Sequence, residues 1–190
     1  GSSGQFFTQI SQGAPFEVFL SADAERPQRA EQQGLGVVGT RFTYAVGRLV
    51  LYSKTPNLAS LATLAAGKFE KLAIADPKAA PYGQAAVETL QKLKLHEAVR
   101  PKIVTGSSIT QAYQFVSTGA AELGFVALAQ VVDEKTGSKW VVPASDHTPI
   151  DQQAILLRSG ENSEAAKAFL AFLKGAKAKA IIKRYGYEVR

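Results

Sequence analysis

Cysteine is absent from the 190-residue sequence, which excludes disulfides and thiolate-bound zinc. That absence fits an oxidising compartment in a protein that needs no staples. Methionine is absent too, so the initiator is gone. The chain is expected to have been processed, freed from a tag, or cut from something longer. Histidine occurs only at His96 and His147. Two distant imidazoles without clustered carboxylates do not make a metal site, and no direct cation ligands are expected. No apolar stretch is long enough to span a membrane, and none reads as a signal peptide. Repeats and low-complexity tracts are lacking. Lys and Arg are nowhere interleaved with aromatics as in a nucleic-acid platform, so no nucleic-acid partner is expected.

What is present is ordinary globular composition: 46% hydrophobic, 20% charged. It suffices for one large domain or two small lobes. The formal net charge is +6, spread along the chain except for a cluster between Lys167 and Arg190. We read it as solubility with mild attraction for anions.

The stretch LAIADPKAAPYGQAAVETLQKL, Leu72–Leu93, organises the rest. Leu72–Ala75 is a short apolar run with the length of a buried strand. Asp76-Pro77 ends it, because proline cannot donate to a ladder and restricts the residue before it. Pro81-Tyr82-Gly83 then opens a helix whose apolar face is Ala86, Leu90 and Leu93. Pro81 suits a first helical turn, where a missing N–H costs nothing. Tyr82 and free backbone N–H groups are thereby delivered to a helix start, where orphan donors and the helix dipole favour an anion.

Elsewhere strands and helices alternate. Gly1–Gly4 is either a cloning scar or a native loop feeding a helix over Gln5–Gln12, with Ser2 or Ser3 as N-cap. Phe16–Leu20 reads as a strand and Glu25–Gln33 as a helix. Arg41–Ser53 is a long strand-like stretch, and Leu58–Ala65 is helical. Ile103-Val104 is a strand, Ser108–Ser117 a helix, Leu123–Leu128 a buried strand and Val131–Gly137 helical or turn-like. Trp140–Pro143 is extended, and Gln153–Arg158 is another strand. Asn162–Leu173 is a helix capped by Asn162 or Ser163, with Phe169, Phe172 and Leu173 inward. Ala176–Tyr185 is the last helix, stopped by Gly186. This alternation predicts an α/β fold with a parallel or mixed sheet covered by helices. Arg41–Ser53 and Trp140–Ile150 bracket the middle half of the chain, a pattern of two lobes joined by two crossing strands.

Several motifs dissolve on inspection. Gly34-Leu35-Gly36-Val37-Val38-Gly39 matches G-x-G-x-x-G, but it follows a helix and leads into a strand, the reverse of a dinucleotide site. Ser145, Asp146 and His147 are neighbours in sequence, which rarely builds a triad, and there is no G-x-S-x-G elbow. His96 falls in a charged loop and is expected to be solvated. Asp23, Asp76, Asp133 and Asp146 each lie near an element end, where caps and turns account for them. Three helix starts remain, each preceded by small or hydroxylic residues: Ser2-Ser3-Gly4, Pro81-Tyr82-Gly83 and Ser107-Ser108-Ile109. Neutral donors of this kind can hold a fully ionised oxyanion without any mobile proton.

At these residues the chain resembles the molybdate/tungstate-binding proteins of bacterial ABC importers, which are type II periplasmic binding proteins. The resemblance rests on SSGQFFTQISQGAPFEVFLSAD (Ser2–Asp23), GRLVLYS (Gly47–Ser53), Leu72–Leu93, QAYQFVSTGAAELGFVAL (Gln111–Leu128) and AFLKGAKAKAIIKRYGY (Ala171–Tyr187), and it covers nearly all of the chain. It implies a two-lobed α/β fold of mixed sheets flanked by helices, hinged on two crossing strands. Residues 1–45 with 145–190 would form one lobe, and 46–144 the other. It implies that Ser3 gives its hydroxyl and N–H, and that Tyr82 and Ile109 give backbone N–H groups. Ser2, Gly4, Gly83 and Ser108 would shape those loops, with the ring of Tyr82 covering the site. The ligand would be molybdate or tungstate, with no cofactor and no catalysis. The partner would be the membrane permease of the importer, the state monomeric and the location periplasmic. The sequence departs from the family pattern in two ways. The family's first strand and helix, which bring another ligating Ser or Thr, have no counterpart here. Ala127 stands where some members place a tyrosine hydroxyl. Rival readings are another anion such as sulfate, the effector-sensing domain of a transcription regulator, and an enzyme.

Overall fold

Leu49–Ser53, Leu72–Ala75 and Leu123–Ala127 are buried at every position, as expected of strands covered on both faces. They form the centre of the larger of two sheets. The structure, a computed structural model, describes residues 1–189. In chain order the elements begin with α1 (Ser3–Ser11), β1 (Val18–Ser21), α2 (Glu25–Gln32), β2 (Phe42–Gly47), β3 (Leu49–Ser53) and α3 (Leu61–Ala66). There follow β4 (Leu72–Ala75), α4 (Pro81–Lys92), α5 (His96–Val99), β5 (Ile103–Gly106), α6 (Ile109–Ser117), β6 (Leu123–Ala127) and α7 (Leu128–Val131). The last are β7 (Ser138–Val141), β8 (Ile150–Leu156), α8 (Glu164–Lys174) and α9 (Ala176–Arg184).

The chain divides into a terminal unit, Ser3–Gly47 with Ile150 onward, and a central unit, Arg48–Pro149 with Gly1–Ser2. In the terminal unit β8 is flanked by β1 and β2, both antiparallel to it. Side chains alternate across the sheet, so β8 and the residue after it serve two cores. Ile155 and Leu157 pack with Phe7 and Ile10 of α1, Phe19 and Ala30. Ala154 and Leu156 pack with Ala166 and Leu170 of α8. This corrects the inward face predicted for α8. The buried stripe is Ala166 and Leu170, four residues apart, with Leu173 partly buried beside it, while Phe169 and Phe172 are exposed. Ser163 caps that helix by accepting the N–H of Ala166 at 3.2 Å.

The central sheet runs β5-β4-β6-β3-β7. β4 is parallel to β5 and β6, while β3 is antiparallel to β6 and β7. The predicted long strand Arg41–Ser53 is two strands, interrupted at Arg48 and shared between the two sheets. His96 does not lie in a loop but opens the single turn of α5. The glycines Gly34 and Gly39 take positive φ, and a Cβ on Gly36 would stand 2.4 Å from Ile155 Cδ1. The G-x-G-x-x-G match is therefore turn and packing chemistry.

Two close approaches set the geometry of the central unit. At Gly83, in the first turn of α4, a Cβ would lie 2.2 Å from the carbonyl oxygen of Ala75. At Gly106, the end of β5, a Cβ would lie 2.8 Å from the backbone nitrogen of Ala112 in α6. Both helices thus press their first turns onto strand ends. Ala75 and Gly106 are register partners, and the N–H of Asp76 donates to Gly106 O at 2.7 Å. Ala75, Ala80 and Ala112, with Ile109 against them, fill the space between. Larger residues there would push the helix starts off the sheet.

The same helix α4 is tied to the segment that leaves the unit. Glu88 accepts the Thr148 N–H at 2.7 Å and the Gln84 side-chain amide at 2.9 Å. Burial raises the Glu88 carboxyl, but these hydrogen bonds and the nearby His147 outweigh it, and the net direction is downward from 4.5. Lys92 pairs with Asp146 at 3.2 Å.

Two outcomes test this reading. Gly83→Ala should lower stability by about 1–3 kcal/mol, because backbone rather than a flexible side chain must yield. Urea unfolding should show a lower midpoint at unchanged slope. Glu88 stabilises the fold while ionised, so its contribution is complete above 4.5 and is lost as pH falls through the lower folded value. Acid titration of stability should be shallower in Glu88→Gln than in the parent below that pH.

Candidate functional site

Three helix starts carry candidate donors, and each is built by a different local device. In the terminal unit Ser3 is the first residue of α1 and is buried. Its Oγ accepts the N–H of Ala22 at 3.0 Å. A hydroxyl has one proton to give, and that of Ser3 has no acceptor among the described residues. The turn after β1 is self-contained in charge. Ser21 Oγ donates to Asp23 Oδ1 at 3.1 Å, and Asp23 accepts the Arg26 N–H at 3.0 Å and pairs with the Arg26 guanidinium. The carboxylate of Asp23 is compensated locally and presents little net charge to an anion at α1.

In the central unit α4 and α6 both begin at the carboxyl ends of parallel neighbours, β4 and β5. In an open α/β sheet that edge is where ligands bind. Before α4, Asp76 shapes the loop. Its side chain accepts the Lys78 N–H at 2.9 Å, and its carbonyl accepts from Ala80 at 2.8 Å. Pro81 then occupies the first helical position and Tyr82, buried, the second. Before α6, Ser108 is the N-cap and accepts the Gln111 N–H at 3.2 Å, while Gln111 Oε1 accepts the Ser107 N–H at 2.7 Å. This reciprocal cap aims the first-turn N–H groups of α6, Ile109 among them, out of the helix. The first turns of α1, α4 and α6 carry no acidic residue, so the dipole field at each start is unopposed.

Of the residues predicted from sequence, Tyr82 and Ile109 fall in one unit at one sheet edge. Ser2, also buried, is counted with that unit, and Ser3 belongs to the terminal unit. Sequence reasoning missed Gln130. Its Oε1 accepts the Ala127 N–H at 3.0 Å and its Nε2 donates to Ile109 O at 3.3 Å. Gln130 thus links the end of β6 to the first turn of α6. No local pattern marks its bond to Ile109, because that partner lies 21 residues away.

The His147 region makes other contacts. Asp146 is held by Lys92 at 3.2 Å and by Ser145 Oγ at 3.2 Å, and His147 Nδ1 lies 2.8 Å from Thr148 O. The order of a triad, carboxylate to imidazole to hydroxyl, is not formed by these bonds. Among the described residues no group of three or more His, Cys, Asp or Glu could hold a metal ion.

Comparison with known proteins accords with this geometry. Residues 1–188 match the family of bacterial extracellular solute-binding proteins. The chain is 54% identical over 188 residues to the molybdate-binding protein ModA of Rhodobacter capsulatus, covering 98% of this chain and 75% of that one. It is 52% identical over 192 residues to ModA of Azotobacter vinelandii, covering 98% and 76%. The solved structure of the Azotobacter vinelandii periplasmic molybdate-binding protein superposes with a TM-score of 0.95 at 42% identity, over all of this chain and 85% of that one. The two helix-flanked sheets are thus those of a periplasmic binding protein, and the chain belongs to the bacterial extracellular solute-binding protein family.

Proposed function

We propose that this protein captures molybdate in the periplasm and delivers it to the membrane permease of an ABC importer. The observation that carries the reading is the set of neutral donors. Helix starts at Ser3, Tyr82 and Ile109 offer N–H groups, and Ser3 adds a buried hydroxyl whose proton has no acceptor among the described residues. The names of the relatives at 52–54% identity point to the same ligand. We assign Ser3, Tyr82, Ile109 and Ser2 to the binding set, with Gln130 as a positioning residue for Ile109. Tungstate, a tetrahedral ion of nearly the same size, is expected to bind alongside molybdate.

The mechanism follows from donor chemistry. Molybdate is fully ionised at neutral pH and accepts hydrogen bonds at every oxygen. A site of donors matches it without proton transfer, and a protonated anion would set a donor against donors. On this reading hydrogen-bond donors rather than cations hold the ion.

Titration calorimetry with molybdate, with sulfate as the competitor, tests the reading. Heat with molybdate that sulfate does not suppress is the expected result. Ser3→Ala should weaken molybdate about 10-fold or more, the loss of one charge-assisted hydrogen bond, with unchanged circular dichroism. Equal affinity for sulfate would overturn the ligand assignment, and unaltered binding in Ser3→Ala would remove Ser3 from the site.

A further inference from the structure

The positive charge of this protein is concentrated in one place that oxyanion binding does not use. From Glu164 to Arg184, the span of α8 and α9, there are six cationic side chains and one carboxylate. That net of +5 accounts for nearly all of the chain's +6. Lys167 is paired with Glu164 at 3.1 Å, and Lys174 stands 4.4 Å over the ring of Phe42. Lys177, Lys179, Lys183 and Arg184 have no ion-pair partner among the described residues.

Large apolar side chains are exposed on the same two helices and at Tyr185, the residue that follows α9. Phe169 is 44% exposed, Phe172 45%, Ile181 45% and Tyr185 42%. Phe169 and Phe172 are three residues apart and share a face of α8. Lys177, Ile181 and Arg184 follow at spacings of four and three and share a face of α9. The inner faces are committed elsewhere: Ala166, Leu170 and Ala178 are buried, and α8 and α9 pack on each other.

We propose that the outer face of the α8–α9 pair docks on an anionic phospholipid membrane. Unpaired cations answer the headgroup phosphates, each adding to attraction near a negative surface. Charge alone would equally suit an acidic protein. The exposed phenylalanines, isoleucine and tyrosine favour lipid, because such side chains enter the headgroup boundary while Lys and Arg stems lie along the apolar surface and keep their charges at the phosphates. No helix among the described residues is long and apolar enough to cross a membrane, so the contact is peripheral and reversible. It would confine the protein to the plane in which a permease resides. α8 and α9 are not among the donor helices, and the test of this face does not depend on molybdate binding.

The experiment is co-sedimentation of the full chain with phosphatidylcholine vesicles, with or without phosphatidylglycerol, at low and high salt. Binding is expected only to vesicles containing phosphatidylglycerol, and it should be released by high salt. The variant Lys177→Gln/Lys183→Gln/Arg184→Gln should bind at least about 10-fold less. A control of equal net charge, Lys68→Gln/Lys94→Gln/Lys135→Gln, should bind as the parent does. Phe169→Ser/Phe172→Ser should also weaken binding, with the fold checked by circular dichroism in each case. Failure to bind anionic vesicles would overturn the proposal, and retention of an acidic polypeptide instead would assign the face to a protein. Equal losses in the two triple variants would also overturn it, since net charge rather than this face would then be responsible.

Discussion

The structure of the central unit depends on how closely two helices can approach two strand ends. A carbonyl of β4 occupies the space that a side chain at position 83 would need, and a backbone nitrogen of α6 crowds the corresponding space at position 106. Because Ala75 and Gly106 are partners across a parallel pair, the two contacts lie side by side. Parallel pairing also fixes the direction of both helices, since each crossover must return the chain to the start of the next strand. First-turn N–H groups therefore gather at one edge of the sheet. Glycine and alanine at this seam are the condition for that edge to carry donors in register. Bulk anywhere along it would push the helix starts off the sheet.

The carboxylates nearest the helix starts are engaged by local hydrogen bonds. The acidic residues nearest the helix starts are consumed locally, Asp23 by Ser21 and Arg26 and Asp76 by the Lys78 N–H. Most of the net positive charge lies on α8 and α9. Dipoles and hydroxyls hold a dianion with little reorganisation, and they impose a geometry that point charges would not. Flexible lysines bind anions of many shapes, which suits a membrane surface better than a transport site. Under the two proposals made above, this segregation would give the molecule one specific anion site and one permissive one.

Much of the fold was legible from local pattern. Leu72–Ala75 and Leu123–Leu128 read as buried strands because every position is apolar or small, and the strands found there, Leu72–Ala75 and Leu123–Ala127, are buried throughout. Pro81 announced the start of α4, and Ser108 that of α6, because caps and missing donors act within a few residues. Other features were not legible. Asn162–Leu173 was predicted to turn Phe169 and Phe172 inward, yet it buries Ala166 and Leu170. Size and apolarity name candidates for a core, and the partner surface, here Ala154 and Leu156 of β8, selects the stripe. Arg41–Ser53 carried strand propensity from end to end, and nothing in it shows that Gly47 and Arg48 lead into different sheets.

The sequence by itself determined most of the element types, the starts of α4 and α6 and the neutral character of the candidate donors, since propensity, capping and residue chemistry are local. It also determined membership of a family, through segments that run nearly the whole chain. Tertiary structure alone decided which starts share an edge. It recruited Gln130 to hold Ile109, made Gly83 and Gly106 indispensable as contacts rather than as turns, and left the basic helices with an exposed apolar face. Those outcomes depend on residues far apart in the chain meeting at van der Waals distance, a property that no window of sequence contains.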